Sequence, residues 1–213
     1  MVGLIYNTTM VSEKPDSWSV MWDPKYSGEI LTFNNSRDAF GVAQYLLGYD
    51  VNSTNPDEWR AAEEKLKEQK PLIQSYVMDE VFNKMEAGEA AMAPYYAGDY
   101  LTMKQENDDL AFVYPKEGTN KFVDVMCIPS SSENKEAAEL FINYMCEPEV
   151  ALHNANYLGY LCPVTAVLSD DRYEYKDNEV LYPKQEVKTQ FFHNLDQDTL
   201  DLLSKLWEDL KLA

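Results

Sequence analysis

Residues 79–100, D-E-V-F-N-K-M-E-A-G-E-A-A-M-A-P-Y-Y-A-G-D-Y, carry the pattern that decides the fold. A helical segment ends at Gly88, an apolar strand runs as far as Tyr95 and Tyr96, and small residues open the next helix. In α/β proteins, ligand sites form where a strand ends and a helix begins. Aromatic rings at this position therefore favour a binding site.

A second stretch, residues 122–128, repeats the combination of ring and polar group. Phe122 and Asp124 alternate with Val123 and Val125, which predicts a strand with the ring and the carboxylate on one face. We expect the valines to be buried, so the carboxylate needs a partner. Aromatic faces attract cations, and carboxylates offer charge and hydrogen-bond acceptors. The two stretches together predict a site for a small organic cation.

Helical segments alternate with predicted strands through most of the chain. This order predicts an α/β fold with a mostly parallel sheet flanked by helices. The predicted strands are 2–7, 29–33, 72–77, the segment ending at 96, 110–114 and 122–128.

Asn35 and Asp38 precede a predicted helix and have two possible roles. Asn at the helix N-cap with an acidic residue three positions later resembles a capping box. A helix N-terminus beside a cleft also faces a ligand, although its positive end disfavours a cation unless Asp38 outweighs it. The pattern leaves both roles open.

Composition limits the classes of function. The 213 residues suffice for one large or two small domains, and a 45% hydrophobic content predicts a packed core. With 18 basic and 37 acidic residues the formal net charge is −19, which disfavours nucleic acids and anionic membranes as partners. No apolar run approaches the roughly 20 residues of a membrane span. The chain opens on strand-like sequence, so we expect further sequence before it in the natural protein.

Metal and cofactor sites are not predicted. The three cysteines have no zinc-ligand spacing, and their apolar surroundings predict buried free thiols. The two histidines stand far apart with no ligand motif around them. We therefore predict no metal and no cofactor.

Several segments, in this order and spacing, resemble the C-terminal portion of the spermidine/putrescine-binding proteins of ABC transporters. The resemblance covers nearly the whole chain and implies the type II periplasmic-binding-protein fold, in which two hinged lobes hold a polyamine in a cleft. Residues 1–121 with 184–213 then form the second lobe, and 122–183 belong to the first, whose N-terminal half is absent. The matching segments include W-S-V-M-W-D-P-K-Y-S-G (18–28), N-N-S-R-D-A-F (34–40), M-E-A-G-E-A-A-M-A-P-Y-Y-A-G-D (85–99), F-V-D-V-M-C-I-P (122–129) and L-G-Y-L-C-P (158–163).

The resemblance also implies which residues bind the ligand. It implies that Asp124 and Asp38 pair with ammonium groups of the polyamine, and that Phe122 stacks on the methylene chain of the polyamine. Asn35 falls where many members have an aspartate, so this chain brings an amide without charge there. The full implied set is Asp124, Phe122, Tyr96, Tyr160, Asp38 and Asn35, with Tyr96 and Tyr160 as aromatic walls.

The function implied is that of a solute-binding component of an ABC importer, not an enzyme, with a membrane permease as partner. The family works outside the cytoplasmic membrane, in the periplasm or tethered to the cell surface. Surface exposed by the absent half leaves self-association open. One alternative is the same fold with another solute, such as a sugar or other organic cation. An anion is disfavoured, because its site would need basic residues at the strand ends. A hydrolase using paired carboxylates is the other, although no nucleophile, phosphate-loop or metal motif accompanies them.

Overall fold

The computed structural model describes residues 1–212 and separates into two compact units. The first unit comprises Met1–Phe122 together with the segment from Gln185 onward, and the second comprises Val123–Lys184. The chain therefore leaves the first unit once and returns to it. The assignment of these segments to the two lobes of a binding protein stays a prediction.

A five-stranded sheet in the order β3-β2-β4-β1-β5 forms the centre of the first unit. β2 runs parallel to β3 and β4, whereas β1 runs antiparallel to both of its neighbours. Four of the five strands thus point the same way, which confirms a parallel-rich sheet. β6 and β7 form a separate parallel pair. The strands are β1 Val2–Asn7, β2 Ile30–Phe33, β3 Ile73–Val77, β4 Met92–Tyr96, β5 Leu110–Val113, β6 Thr119–Lys121 and β7 Thr189–Phe191.

The helices begin where the sequence supplies capping groups. Asn35 caps α1 by accepting from two backbone N–H groups, and Asn55 caps α2 ahead of Pro56 at its first position. Gly48, in the left-handed region at φ 77°, ends α1. The helices are α1 Ser36–Leu47, α2 Pro56–Gln69, α3 Glu80–Glu86, α4 Ala97–Glu106, α5 Lys135–Met145, α6 Pro148–Leu158, α7 Thr165–Leu168 and α8 Gln197–Leu212.

The helices α1, α2 and α8 pack together around a buried apolar cluster. Phe40 of α1 and Trp59 of α2 are fully buried at its centre. From α8, Leu203, Leu206 and Leu210 are buried in the cluster, because they recur at helical spacing along one face. This cluster fixes α1, whose first turn carries Asp38, against the rest of the first unit.

Gly3, in β1, faces a ring that leaves no room for a side chain. A Cβ built at Gly3 would lie 2.2 Å from Cζ of Phe112. We expect Gly3→Ala to lower the free energy of unfolding by about 1–3 kcal/mol, because the ring must move out of a packed position. Urea denaturation measures the loss. In a Phe112→Ala background the same substitution should cost much less, and equal losses in both backgrounds would contradict the steric explanation.

The second unit has a small core and much exposed apolar surface. Ala151, Leu152 and Ala155 of α6 pack with Val167 and Tyr173. α5 has an amphipathic sequence, with apolar residues recurring at helical spacing, but none of its residues is buried within the described chain.

The strand predicted at residues 122–128 is wrong. The segment has no regular secondary structure, and Val123 and Val125 are 70% and 72% exposed rather than buried. A strand needs a neighbour to receive its backbone hydrogen bonds, and the described residues 123–184 contain no other strand. The alternation of apolar and polar residues is present, but nothing in this unit pairs with it.

The cysteines are free, as predicted, but their predicted burial is wrong. Cys127 and Cys146 are exposed and Cys162 is half-buried. All three lie in the second unit, where the core is too small to enclose them.

Candidate functional site

The site in the first unit forms where two neighbouring parallel strands end. β2 ends at Phe33 and leads into α1, whose first turn carries Asp38. β4 ends at Tyr96, on the same edge of the sheet. The Tyr96 hydroxyl donates a hydrogen bond to Oδ2 of Asp38 at 3.1 Å, although the residues are 58 positions apart. The structure thus brings together an aromatic residue and a carboxylate from the predicted set.

Asp38 is a buried carboxylate with few compensating groups. The residue is only 8% exposed, and its Oδ1 accepts a hydrogen bond from Nδ2 of Asn120 at 3.3 Å. Burial raises the pKa of the Asp38 carboxyl, while hydrogen bonds from Tyr96 and Asn120 and the charge of Arg37 lower it by less. A carboxylate that has lost water and is incompletely compensated favours an additional cationic partner.

Aromatic rings surround the Tyr96 side of this carboxylate. The Phe122 ring stands edge-on to the Tyr96 ring with centroids 5.2 Å apart, and Tyr95 and Phe33 lie 4.8 and 5.7 Å from Tyr96. Burial, followed by the charge of Asp38, raises the pKa of Tyr96, so its hydroxyl stays neutral and available as a donor. Ring faces beside a carboxylate form the combination that attracts organic cations.

Asn35 performs the capping role that the sequence left open. Its Oδ1 accepts from the backbone N–H groups of Arg37 at 2.9 Å and Asp38 at 3.3 Å. The Asp38 carboxylate turns toward Tyr96 and Asn120 to accept their hydrogen bonds. The amide at position 35 therefore holds the helix turn that carries the carboxylate, and its contact with a ligand stays a prediction.

Arg37 anchors the same turn from the other side. Its guanidinium lies over the rings of Trp59 and Phe192, 5.5 and 4.5 Å from their centroids, and donates to the carbonyl oxygen of Val51 at 2.6 Å. A planar cation stacked on rings and hydrogen-bonded has little freedom to move. The position of Asp38, the next residue, is correspondingly well defined.

Asp124 and Tyr160 belong to the second unit. Asp124 is exposed in the irregular segment, so the burial of its neighbours no longer supports a ligand role. Tyr160 is half-buried and follows Gly159, which ends α6 in the left-handed region. The ligand roles of both residues stay predictions.

Sequence reasoning missed Asn120. It lies two residues before Phe122, so both side chains share one face of β6 and its continuation. Asn120 meets Asp38, and Phe122 meets Tyr96. The period-2 pattern that was applied to Phe122 and Asp124 would have found Asn120 if it had been extended in the other direction.

The described residues offer neither a group of metal ligands nor a membrane-spanning helix. Within residues 1–212, no three His, Cys, Asp or Glu side chains are grouped so that they could hold a metal ion. None of the described helices combines the length and the apolar character needed to cross a membrane.

Comparisons with known proteins agree on one family. Residues 1–181 match the family described as bacterial extracellular solute-binding protein. The spermidine/putrescine-binding periplasmic protein of Escherichia coli K12 is 32% identical over 170 residues, which are 80% of this chain and 49% of that protein. The spermidine/putrescine-binding periplasmic protein 1 of Haemophilus influenzae is 26% identical over 213 residues, 99% of this chain and 59% of that protein.

Solved structures share the fold. A spermidine/putrescine ABC transporter substrate-binding protein from Streptococcus pneumoniae superposes with a TM-score of 0.84 at 31% identity, covering 99% of this chain and 66% of the other. The chain spans about half the length of the first curated relatives it matches. Its α/β architecture is that of the periplasmic-binding-protein-like fold. The chain belongs to the bacterial extracellular solute-binding protein family.

Proposed function

We propose that this protein acts as the solute-binding component of an ABC importer, that it captures a polyamine such as spermidine or putrescine, and that it delivers the polyamine to a membrane permease. The observation that supports this most is the buried Asp38 carboxylate beside the Tyr96 and Phe122 rings. The relatives from Escherichia coli and Streptococcus pneumoniae are named for spermidine and putrescine, which supports the same class of solute.

The chemistry of the carboxylate fits an ammonium group. Tyr96 and Asn120 each donate to a different oxygen of Asp38. A carboxylate oxygen has about two acceptor positions, so each oxygen can take a further N–H from an ammonium. The cation loses hydration on entering the site, and a carboxylate within about 4 Å restores part of that loss.

The aromatic rings fit the hydrocarbon part of the same ligand. Each methylene removed from water contributes roughly 0.8 kcal/mol, and flat rings cover such a chain without competing for hydrogen bonds. The rings of Tyr96 and Phe122 also present negative faces to the charged ends. A slender, multiply charged amine uses both properties, whereas a neutral sugar has no positive charge to pair with the Asp38 carboxylate.

The proposal also includes the predicted arrangement of two lobes and the remaining predicted ligand residues. Residues 1–121 with 184–213 form one lobe, 122–183 contribute part of the other, and closure completes the cleft. Asp124 pairs with another ammonium, Tyr160 lines the cleft and Asn35 adds a polar contact. The protein works outside the cytoplasmic membrane and performs no catalysis.

Calorimetry on the full-length protein tests the proposal. Spermidine and putrescine are titrated beside 1,6-hexanediol, which has a similar chain without charge. We expect saturable heat from at least one polyamine and none from the diol, because the charge-pairing with Asp38 is missing there. A folded protein that gives no heat with either polyamine would reject the proposal.

A further inference from the structure

Asn120 is buried within the first unit, and the pairing of its strand holds it in position. It is 6% exposed and occupies the middle of β6, where its backbone pairs with Gln190 of β7. The preceding Thr119 donates from its hydroxyl to the carbonyl oxygen of Val2 at 2.7 Å, which ties β6 to β1. Because successive side chains alternate across a strand, this tie turns Asn120 to the opposite face, toward Asp38.

The Asp38 carboxylate is held from two sides by two different strands. Tyr96, from β4, donates to Oδ2, and Asn120, from β6, donates to Oδ1. Two donors on different oxygens fix the plane of the carboxylate. With Tyr96 alone, the group could rotate about its Cβ–Cγ bond and exchange its oxygens.

The two donors differ in what they can accept. A tyrosine hydroxyl both donates and accepts, so Tyr96 tolerates either protonation state of Asp38. An amide nitrogen only donates, so Nδ2 of Asn120 has no favourable contact with a proton on Oδ1. Nδ2 of Asn120 therefore keeps a proton off Oδ1, and the hydrogen bond that it donates is stronger to the carboxylate than to the neutral acid.

We propose that Asn120 is a positioning residue that holds the Asp38 carboxylate in one plane and in its charged form, ready for a cation. The part of this inference that concerns ligand affinity rests on the proposed function. The same short strand sets both halves of the site, because Phe122 lies two residues further on the same face and contacts Tyr96. A slip of β6 by one residue would turn both side chains away.

The test measures Asp38 itself in the ligand-free, full-length protein. A carboxyl-carbon NMR titration, assigned with Asp38→Asn, gives the midpoint pH of this group. Asn120→Leu removes the donor at similar size and should move the midpoint to higher pH, while Asn120→Gln, which keeps an amide, should move it less. Of the other charged or titratable groups, Arg37 and Tyr96 lower the pKa of Asp38, and the Asp38 charge in turn raises the pKa of Tyr45, Tyr95 and Tyr96.

A matched control separates positioning from general destabilisation. Asn107 is a half-buried asparagine elsewhere in the first unit, and its Nδ2 donates to the backbone carbonyl oxygen of Met85 at 3.0 Å. Asn107→Leu should lower stability and leave the Asp38 midpoint unchanged. If Asn120→Leu does not fold, Asn120→Ala serves instead, since it also removes the donor and should raise the midpoint.

Binding gives the second readout. If the proposed function holds, Asn120→Leu should weaken polyamine affinity roughly tenfold at neutral pH, with partial recovery in Asn120→Gln. An unmoved Asp38 midpoint in Asn120→Leu overturns the inference whatever the affinity. A shifted midpoint in a protein that binds no polyamine supports the inference and rejects the proposed function, so the two failures are distinguishable.

Discussion

Replacing Asp38 by asparagine in the full-length protein is expected to weaken polyamine binding by about 2–5 kcal/mol, the cost of losing one partner of a buried charge pair. The residue is almost fully buried, and two hydrogen bonds already orient its carboxylate. An ammonium placed there would lose its counter-charge and keep the cost of dehydration. Calorimetry with spermidine on wild type and variant measures the difference.

The same substitution should have the opposite effect on stability. The pKa of Asp38 is raised above its ordinary value of 3.8 when the protein is folded, with burial as the main cause. The folded state therefore binds this proton more tightly than the unfolded state. That contribution to stability is complete below pH 3.8 and is lost as the pH rises through the folded-state pKa.

Asp38→Asn carries no charge at any pH and avoids this loss. We expect it to be more stable than wild type at neutral pH without ligand, with the advantage disappearing in acid. Urea denaturation at pH 7 and at pH 3.5 checks the sign. Asp57→Asn, which removes one exposed charge at the start of α2, is the control and should change neither binding nor this pH dependence. Wild-type affinity in Asp38→Asn would contradict the assignment of this carboxylate to the ligand.

Local sequence was sufficient for the parts of the site that one strand or helix defines. The strand ending at Tyr96 and the helix start at Asn35 carry their own signals, in strand-end rings and a capping side chain. The meeting of Asp38 with Tyr96 depends on β2 and β4 being neighbours, which strand order decides. Only the family resemblance placed the two residues in one site beforehand.

The errors share a physical cause. The valines beside Asp124 alternate with polar residues as a half-buried strand would, yet they are exposed because no strand pairs with them in their unit. Pattern specifies which face would be buried, but burial also needs something to cover it. The reversed direction of β1 is invisible for a similar reason, since a six-residue apolar run suits either orientation.

Replacing Trp59 by alanine is expected to lower the free energy of unfolding by about 3–5 kcal/mol, a large part of the roughly 5–15 kcal/mol that a domain has. The ring is fully buried among α1, α2 and α8, with its centroid 5.8 Å from that of Phe40. Its Nε1 donates to the carbonyl oxygen of Ser53 at 2.8 Å, and the Arg37 guanidinium covers its face. Removing it leaves a cavity, an unsatisfied carbonyl and a cation with one ring fewer.

Two further variants identify which of these losses dominates. Trp59→Phe keeps an aromatic face for Arg37 and loses the hydrogen bond to Ser53, so the free energy of unfolding should fall by about 1–3 kcal/mol. Trp207→Ala removes a half-buried indole from the surface of α8 and should cost less than Trp59→Ala. Equal losses at positions 59 and 207 in urea denaturation would contradict a cavity origin. A phenylalanine at position 59 still gives Arg37 a ring to stack on, and Arg37 anchors the helix turn that carries Asp38. The carboxylate of a folded Trp59→Phe protein should therefore keep its orientation. An NMR titration midpoint of Asp38 equal to that of wild type would show this.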